Sequence, residues 1–120
     1  MKLAMLVNPF TERNFQLAAQ VGVEEVVIPY PGIAPDALPE QAKMVEAFGM
    51  RLSVIERKLP HVKIIHDLEG RDAQIEDIKT LLRNMAEVGM EVLCYNWMPD
   101  EDWQRTSKDS PERGGAKVTA

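Results

Sequence analysis

The sequence lacks the features that would place the chain in a membrane, outside the cell or on nucleic acid. Its single cysteine, Cys94, excludes an intramolecular disulfide, and this favours the reducing cytoplasm. No apolar run approaches the ~18 residues of a membrane span, and the N-terminal apolar stretch is too short for a signal peptide. Acidic residues outnumber basic ones by 19 to 14, with no basic stripe, so we expect neither nucleic acid nor a membrane as a partner.

Sequence motifs for several kinds of chemistry are also missing. The segment after the first apolar run reads NPFTER, where a dinucleotide-binding fold has a glycine-rich phosphate loop. No group of residues has the spacing of a zinc site, and no nucleophile elbow is present. These absences argue against a dinucleotide-binding enzyme, a zinc protein and an α/β-hydrolase.

What the sequence does contain is one pattern repeated three times. AAQVGVEEVVIPY, VEAFGMRLSVIE and MAEVGMEVLCYN each read as the end of an apolar-striped helix, a glycine, one apolar residue and a β-rich run. Glycine ends a helix well because it adopts the left-handed conformation without a Cβ penalty. The β-rich runs are continuously apolar, which is typical of strands buried on both faces, and LAMLV at residues 3–7 is a fourth such run.

Segments with helical periodicity separate these strands. The first helix is predicted to begin at an N-cap, Thr11, and the last at Asp72. The apolar stripe of the last helix is predicted to comprise Ile75, Ile78, Leu82 and Met85. Strict alternation of strand and helix predicts a parallel sheet with right-handed crossovers.

We therefore predict an α/β fold, a parallel (βα)4 half of a TIM (β/α)8 barrel. Residues 1–106 hold the four strands, and residues 107–120 form the loop after strand four. A full barrel takes roughly 250 residues, so we expect a chain truncated before the helix that should follow strand four.

Polar residues follow the strands at the end where parallel α/β folds collect functional groups. Glu56 ends the third strand and could be a base, a substrate ligand or an ion-pair partner of Arg57. His61, in the next loop, is either a ligand or a solvated histidine. Asn96 could bind a sugar hydroxyl or cap a turn, and Arg105 could clamp a carboxylate or be solvated.

For other residues near the end of the fourth strand, a structural role is as well supported as a functional one, or better. Trp97 and Trp103 could stack on a sugar ring or cover apolar loop surface. Cys94 is predicted to be a small core residue. The acids at 100–102 are predicted to form a solvated surface rather than a metal site.

Residues 52–106 resemble the mannonate dehydratase family. The shared motifs are VIE at 54–56 with His61 five residues on, GRD at 70–72, CYN-x-MP at 94–99 and DW-x-RT at 102–106. Departures from the family pattern are Ile65 and Asp67 before GRD, Asp77 in the following helix and Trp97 in the fourth motif. The first 50 residues resemble the family in layout only.

The resemblance implies a xylose-isomerase-like TIM barrel and a lyase that dehydrates D-mannonate to 2-keto-3-deoxy-D-gluconate in hexuronate (glucuronate) catabolism. The family uses manganese or ferrous iron. The residues that it places on the substrate side of the pocket are Glu56, His61, Tyr95, Asn96 and Arg105. The main catalytic groups and the metal ligands are expected beyond Ala120, so this chain alone is expected to bind no metal and to be inactive. Cys94 is not expected to be a metal ligand.

Two alternatives remain open at this point. The first is a sugar isomerase or epimerase, since the xylose-isomerase-like barrel hosts these activities too and fold does not fix function. The second is a non-catalytic half-barrel that associates with itself through its open sheet edges, which are sticky when uncovered. A homo-oligomer and a small-molecule sugar acid are the expected partners.

Overall fold

The computed structural model describes residues 1–96 and 106–119. A four-stranded parallel sheet with the sequential order β1-β2-β3-β4 confirms the predicted half-barrel. Helices connect the strands. The elements in chain order are β1 (Ala4–Leu6), α1 (Glu12–Gln20), β2 (Glu25–Ile28), α2 (Ala37–Glu46), β3 (Arg51–Glu56), α3 (Val62–Ile65), α4 (Arg71–Glu87) and β4 (Val92–Cys94).

The repeated glycines end their helices as predicted. After α1, Gly22 has a φ of 81°, and its N–H donates to the Ala19 carbonyl at 3.0 Å. The N–H of Val23 donates to the Ala18 carbonyl at 3.0 Å, which completes a Schellman motif. The same two bonds recur around Gly89 after α4. The apolar residue after each repeated glycine is buried: Val23, Met50 and Met90.

The predicted helix start is confirmed for α1 and wrong for α4. Thr11 is the N-cap of α1, and its hydroxyl accepts from the Asn14 N–H at 3.4 Å. The N-cap position of α4 is Gly70, with a φ of 83°, and Asp72 is already helical. The Asp72 carboxylate accepts from Arg71 Nε at 2.9 Å instead of capping the backbone. Glycine adopts the left-handed conformation at this position without a Cβ penalty. The acid in the first turn still interacts favourably with the helix dipole.

The helices pack on one face of the sheet and form a cluster called here the helix-side core. Its helical members are Phe15, Ala18, Leu38, Val45, Leu81 and Met85, and its strand members include Val26, Ile28, Leu52 and Ile55. Because strands alternate their side chains between faces, these strand members define the side of the sheet that the helices cover.

Leu82, predicted for the inward stripe of α4, lies outside the helix-side core. It is 47% exposed, whereas Leu81 is fully buried. Ile78, Leu81 and Met85 form the stripe that meets the sheet, and Leu82 is about 100° further around the helix. Both sets of residues have helical spacing, so periodicity alone does not choose between them; the position of the sheet does.

The opposite face of the sheet carries an apolar row, called here the inner row. Strand pairing places Leu6 beside Val27, Val27 beside Val54 and Val54 beside Val92. The residue after each member of this row packs into or against the helix-side core, so the row faces away from the helices. In a closed barrel, such a row is part of a layer of interior side chains.

Residues 107–119, predicted to form a loop, contain a short hairpin. β5 (Ser110–Pro111) pairs antiparallel with β6 (Lys117–Val118), and the Glu112 N–H donates to the Ala116 carbonyl at 2.8 Å. Within residues 1–96 and 106–119, no helix is long and apolar enough to cross a bilayer.

An ion pair at the amino end of the sheet makes stability depend on pH. Lys2 Nζ lies 2.7 Å from Glu25 Oε1, and this hydrogen bond lowers the pKa of Glu25 against the raising effect of burial. A lowered folded-state pKa gives stability that is present above the unfolded pKa of about 4.3 and is lost as pH falls through the folded value.

We therefore expect Lys2→Met to destabilise the chain at pH 7 by about 0.5 kcal/mol, since the lysine is largely exposed. The difference from the wild type should disappear at a pH below the folded pKa of Glu25. Urea unfolding at both pH values measures it, with Lys108→Met as the control. An equal effect at both pH values would contradict the role given to this pair.

Candidate active site at the carboxyl end of the sheet

Glu56 is the last residue of β3 and lies at the carboxyl end of the sheet, as predicted. Its side chain is 40% exposed, and its ion-pair partner among the described residues, Arg57, has its Nε 4.0 Å from Oε1. At that distance the pair is not hydrogen-bonded, and its exposure makes it weak. The ion pair with Arg57 therefore constrains the Glu56 carboxylate only weakly.

The turn after Glu56 has an unusual backbone. Arg57 has a φ of 73° and Lys58 a φ of 57°, so two successive non-glycine residues adopt the left-handed conformation. Each such residue costs roughly 1 kcal/mol, and strain of this kind collects at functional sites. The Tyr30 N–H donates to the Arg57 carbonyl at 3.1 Å, and Leu59 is buried, so β2 and the core both hold the turn in place.

His61 lies five residues beyond Glu56, at the N-terminal end of α3. The residue is half-buried. Its carbonyl accepts from the N–H groups of Ile64 and Ile65 at 3.0 and 2.9 Å, so the backbone of this residue is fixed by the short helix. His66, at the other end of α3, is exposed.

The GRD motif anchors the loop that carries His61. Gln74 Oε1, in α4, accepts from the Lys63 N–H at 2.9 Å and so ties α3 to α4. Gly70 has a φ of 83°, a left-handed conformation that favours glycine, and this explains the glycine of the motif. Arg71 donates to Asp67 at 2.6 Å and to Asp72 at 2.9 Å, so its guanidinium closes the turn.

Tyr95 and Asn96 follow β4, the strand that pairs with β3. Glu56 pairs with Cys94, so Tyr95 and Asn96 follow one and two residues beyond that pair on the adjacent strand end. Tyr95 is 66% exposed, and Asn96 is exposed as well. Glu56, Tyr95 and Asn96 therefore lie at the carboxyl ends of two neighbouring strands, and the side chains of all three are at least partly exposed.

The prediction that Cys94 is a small core residue is wrong, because its side chain is exposed. Cys94 shares a face with Val92, which belongs to the inner row, and β4 is an edge strand of the sheet. A continuously apolar run predicts burial on both faces. An edge strand of a half-barrel lacks the neighbour that would provide that burial.

Arg105, the fifth predicted site residue, lies outside the described residues. The same holds for Trp97, Trp103 and the acids at 100–102, since the structure describes residues up to 96 and again from 106. The predictions for these residues stay predictions.

Tyr30 lies at the same carboxyl end of the sheet, called here the rim, and was not selected from the sequence as a site residue. It follows β2, is half-buried and packs against the helix-side core. Burial raises the pKa of its hydroxyl, and the negative charge of Asp77 on α4 raises it further. Its position directly after a strand was the available signal.

Asn84 joins α4 to the loop that follows β2. It is a buried residue of α4, and its Nδ2 donates to the Ile33 carbonyl, in the loop after β2, at 3.1 Å.

We expect Asn84→Ala to destabilise the chain by about 1–3 kcal/mol, because a carbonyl loses its donor in a partly buried site. Asn14→Ala is the control, since its Nδ2 donates to the Pro9 carbonyl at 2.9 Å in an exposed position. Urea unfolding of both variants measures the difference, and an equal loss would contradict the role of burial.

The described residues offer no complete metal site. Within residues 1–96 and 106–119, no group of three or more histidine, cysteine or acidic side chains could hold a metal ion. The rim contributes one carboxylate and one imidazole from Glu56 and His61. A divalent cation bound by such ligands takes at least four donors, so these two residues do not fit the metal by themselves.

Comparison with known proteins assigns the chain to a family. A family model of D-mannonate dehydratase (UxuA) matches residues 15–120. The chain is 42% identical over 81 residues to the mannonate dehydratase of Streptococcus suis (strain 05ZYH33), which covers 68% of this chain and 22% of that protein. It is 39% identical over 100 residues to the mannonate dehydratase of Lactococcus lactis subsp. lactis (strain IL1403), covering 78% of this chain and 28% of that protein.

The fold agrees with this assignment. The crystal structure of mannonate dehydratase from Streptococcus suis serotype 2 matches with a TM-score of 0.84 and 31% identity, over 99% of this chain and 36% of that one. The chain thus spans between 22% and 36% of the length of these relatives. With a family model that matches most of its residues and relatives that share its sequence and its half-barrel, the chain belongs to the D-mannonate dehydratase family.

Proposed function

We propose that this chain is the N-terminal part of a cytoplasmic hydro-lyase that converts D-mannonate to 2-keto-3-deoxy-D-gluconate in hexuronate catabolism. The observation that supports the proposal is the pairing of Glu56 with Cys94, which sets the carboxyl ends of β3 and β4 side by side, with Glu56 at one and Tyr95 and Asn96 just beyond the other. In parallel α/β folds this end holds the active site. Family membership gives the substrate class.

The residue types suit a polyhydroxylated acid. An ionised carboxylate such as Glu56 accepts hydrogen bonds from sugar hydroxyls, and the amide of Asn96 both donates and accepts. The phenol of Tyr95 and the imidazole of His61 add groups that donate or accept as the substrate requires. We assign the binding of the substrate carboxylate to Arg105, because a guanidinium pairs with a carboxylate through two parallel bonds.

The reaction removes one molecule of water from the substrate. A base takes the proton of the C–H bond α to the carboxylate, and the electron pair of that bond forms the double bond of an enol. The β C–O bond breaks, and the hydroxyl leaves as water with a proton from an acid. The enol then tautomerises to the 2-keto acid. The α-proton becomes acidic enough only when the carboxylate is neutralised, which is what Arg105 and a bound manganese or ferrous ion would supply. Residues outside those described would have to supply the metal site, since no group of three or more histidine, cysteine or acidic side chains among the described residues could hold the ion.

Mass analysis of the product tests this proposal. A full-length protein that contains this sequence is incubated with D-mannonate and manganese, and the product is examined for loss of one water and for a 2-keto group. A 3-deoxy-2-keto acid supports the proposal. A product of unchanged mass would contradict it and indicate the isomerase or epimerase alternative. The 120-residue chain, assayed alongside, is expected to be inactive.

A further inference from the structure

The short helix α3, which begins just after His61, needs support from outside itself. It has four residues, none of which is buried, and an isolated helix of that length is not stable in water. The His61 side chain, at the N-cap position, forms no hydrogen bond that caps the helix. Contacts with other parts of the chain must therefore hold α3 in place.

One of these contacts comes from α4. The first N–H groups of a helix have no acceptor within the helix, and the N–H of Lys63, the second residue of α3, is one of them. Gln74 Oε1 accepts from this N–H at 2.9 Å. Gln74 is half-buried and belongs to α4, which Leu81 and Met85 anchor in the helix-side core. The side chain of Gln74 thus caps α3 from a helix whose own position is fixed.

The loop that carries His61 is held on both sides of this residue. On one side, Leu59 is buried in the helix-side core. On the other side, Lys63 is bonded to Gln74. His61 lies two residues from each of these anchors. Together the anchors limit how far His61 can move relative to Glu56, the last residue of β3.

The ion pairs of the GRD turn do not replace the bond from Gln74. Arg71 pairs with Asp67 and Asp72, and both carboxylates follow α3 in the chain. The side chains of these two acids are 80% and 84% exposed, so the pairs contribute little to stability. Gln74, in contrast, is bonded at the end of α3 where His61 lies.

We propose that Gln74 is a positioning residue, which holds the N-terminal end of α3 and thereby fixes His61 at the rim relative to Glu56. The inference rests on the proposed function, in which both residues contact a sugar acid. In this role Gln74 itself does not contact the substrate. A displacement of about 1 Å in a group that binds the substrate can lower the rate about 100-fold, so the anchor of a short helix is enough to affect turnover.

Kinetics of a full-length protein that contains this chain test this role. Gln74→Ala is expected to lower kcat/KM for D-mannonate about tenfold, because it removes the acceptor of the Lys63 N–H. Gln74→Glu keeps an acceptor oxygen and should retain most of the activity. Glu76→Ala is the matched control, since it removes a hydrogen bond of 2.7 Å to Lys79 within α4 and should leave kcat/KM unchanged. Far-UV circular dichroism checks that each variant keeps its fold.

A double-mutant cycle shows whether Gln74 acts through His61. In a His61→Gln background, Gln74→Ala should lower kcat/KM less than about twofold, because the side chain that it positions is already gone. A general structural role would give the same loss in both backgrounds, and this result would overturn the proposal. The proposal would also be overturned by an unchanged kcat/KM in Gln74→Ala, or by a Gln74→Glu variant as impaired as Gln74→Ala.

Hydrogen–deuterium exchange tests the anchor without any activity. In the full-length protein, mass spectrometry of the peptide that contains Lys63 should show faster exchange in Gln74→Ala, by about tenfold or more, and no change in Glu76→Ala. Unchanged exchange in Gln74→Ala would overturn the proposal whatever the reaction. If the unaltered protein formed no keto acid from D-mannonate, the proposed function would fail, and exchange alone would decide whether Gln74 holds α3.

Discussion

Replacing Glu56 by glutamine in a full-length protein that contains this chain is expected to lower kcat/KM for D-mannonate about 10- to 100-fold. The carboxylate stands at the end of β3 and is 40% exposed, and within the described part of the chain its ion pair with Arg57 is long, at 4.0 Å. That weak pair leaves the carboxylate able to accept hydrogen bonds from substrate hydroxyls. A hydrogen bond to a charged group contributes about 1.5–3 kcal/mol, and each 1.4 kcal/mol is a factor of ten. Glutamine keeps the shape but loses the charge.

Steady-state kinetics of keto-acid formation measure this effect. Glu24→Gln is the matched control, because Glu24 lies just before β2 at the opposite, amino end of the sheet. The control should keep the activity of the unaltered enzyme. If both variants lost activity equally, the loss would reflect stability or net charge rather than a contact with the substrate. If Glu56→Gln kept full activity, Glu56 would be only a surface acid of the rim.

The architecture could be predicted because its signals are local. A glycine followed by one apolar residue, repeated three times, encodes three helix ends whose hydrogen bonds lie within a few residues. The order of strands in a parallel sheet then follows from the connection rules. The two wrong predictions share a cause. Leu82 and Cys94 were expected in the core, and both are exposed. Periodicity does not reveal which face of a helix meets the sheet, and composition does not reveal which strand lies at an edge.

The positions of the candidate site residues at strand ends were predictable, and their roles stay predictions. Glu56 and Asn96 were selected because they end strands, and the pairing of β3 with β4 brings them together. The hydrogen bond between α4 and the loop after β2 could not be predicted from the sequence. Asn84 and Ile33 are 51 residues apart in the chain, and no local signal joins them. The left-handed turn at Arg57 and Lys58 also has no glycine to announce it, since long-range contacts and not local preference hold it.

The largest effect on stability is expected from Phe15→Ala, at about 3–5 kcal/mol. Phe15 is fully buried in the helix-side core. The centroid of its ring lies 4.6 Å from that of Phe10, in an edge-to-face arrangement, and 5.7 Å from that of Phe48. Segments that follow β1 and α2 therefore both contact α1 through this one side chain. Alanine would remove the apolar burial and both ring contacts, and leave a cavity between the three segments.

Urea unfolding of the 120-residue chain, followed by far-UV circular dichroism, measures this loss. Leu17→Ala is the control in the same helix, because Leu17 is 51% exposed and should cost less than about 1 kcal/mol. A domain of this size is stabilised by roughly 5–15 kcal/mol, so Phe15→Ala would remove a large part of the total. Losses of similar size in the two variants would mean that α1 does not pack on the sheet through Phe15.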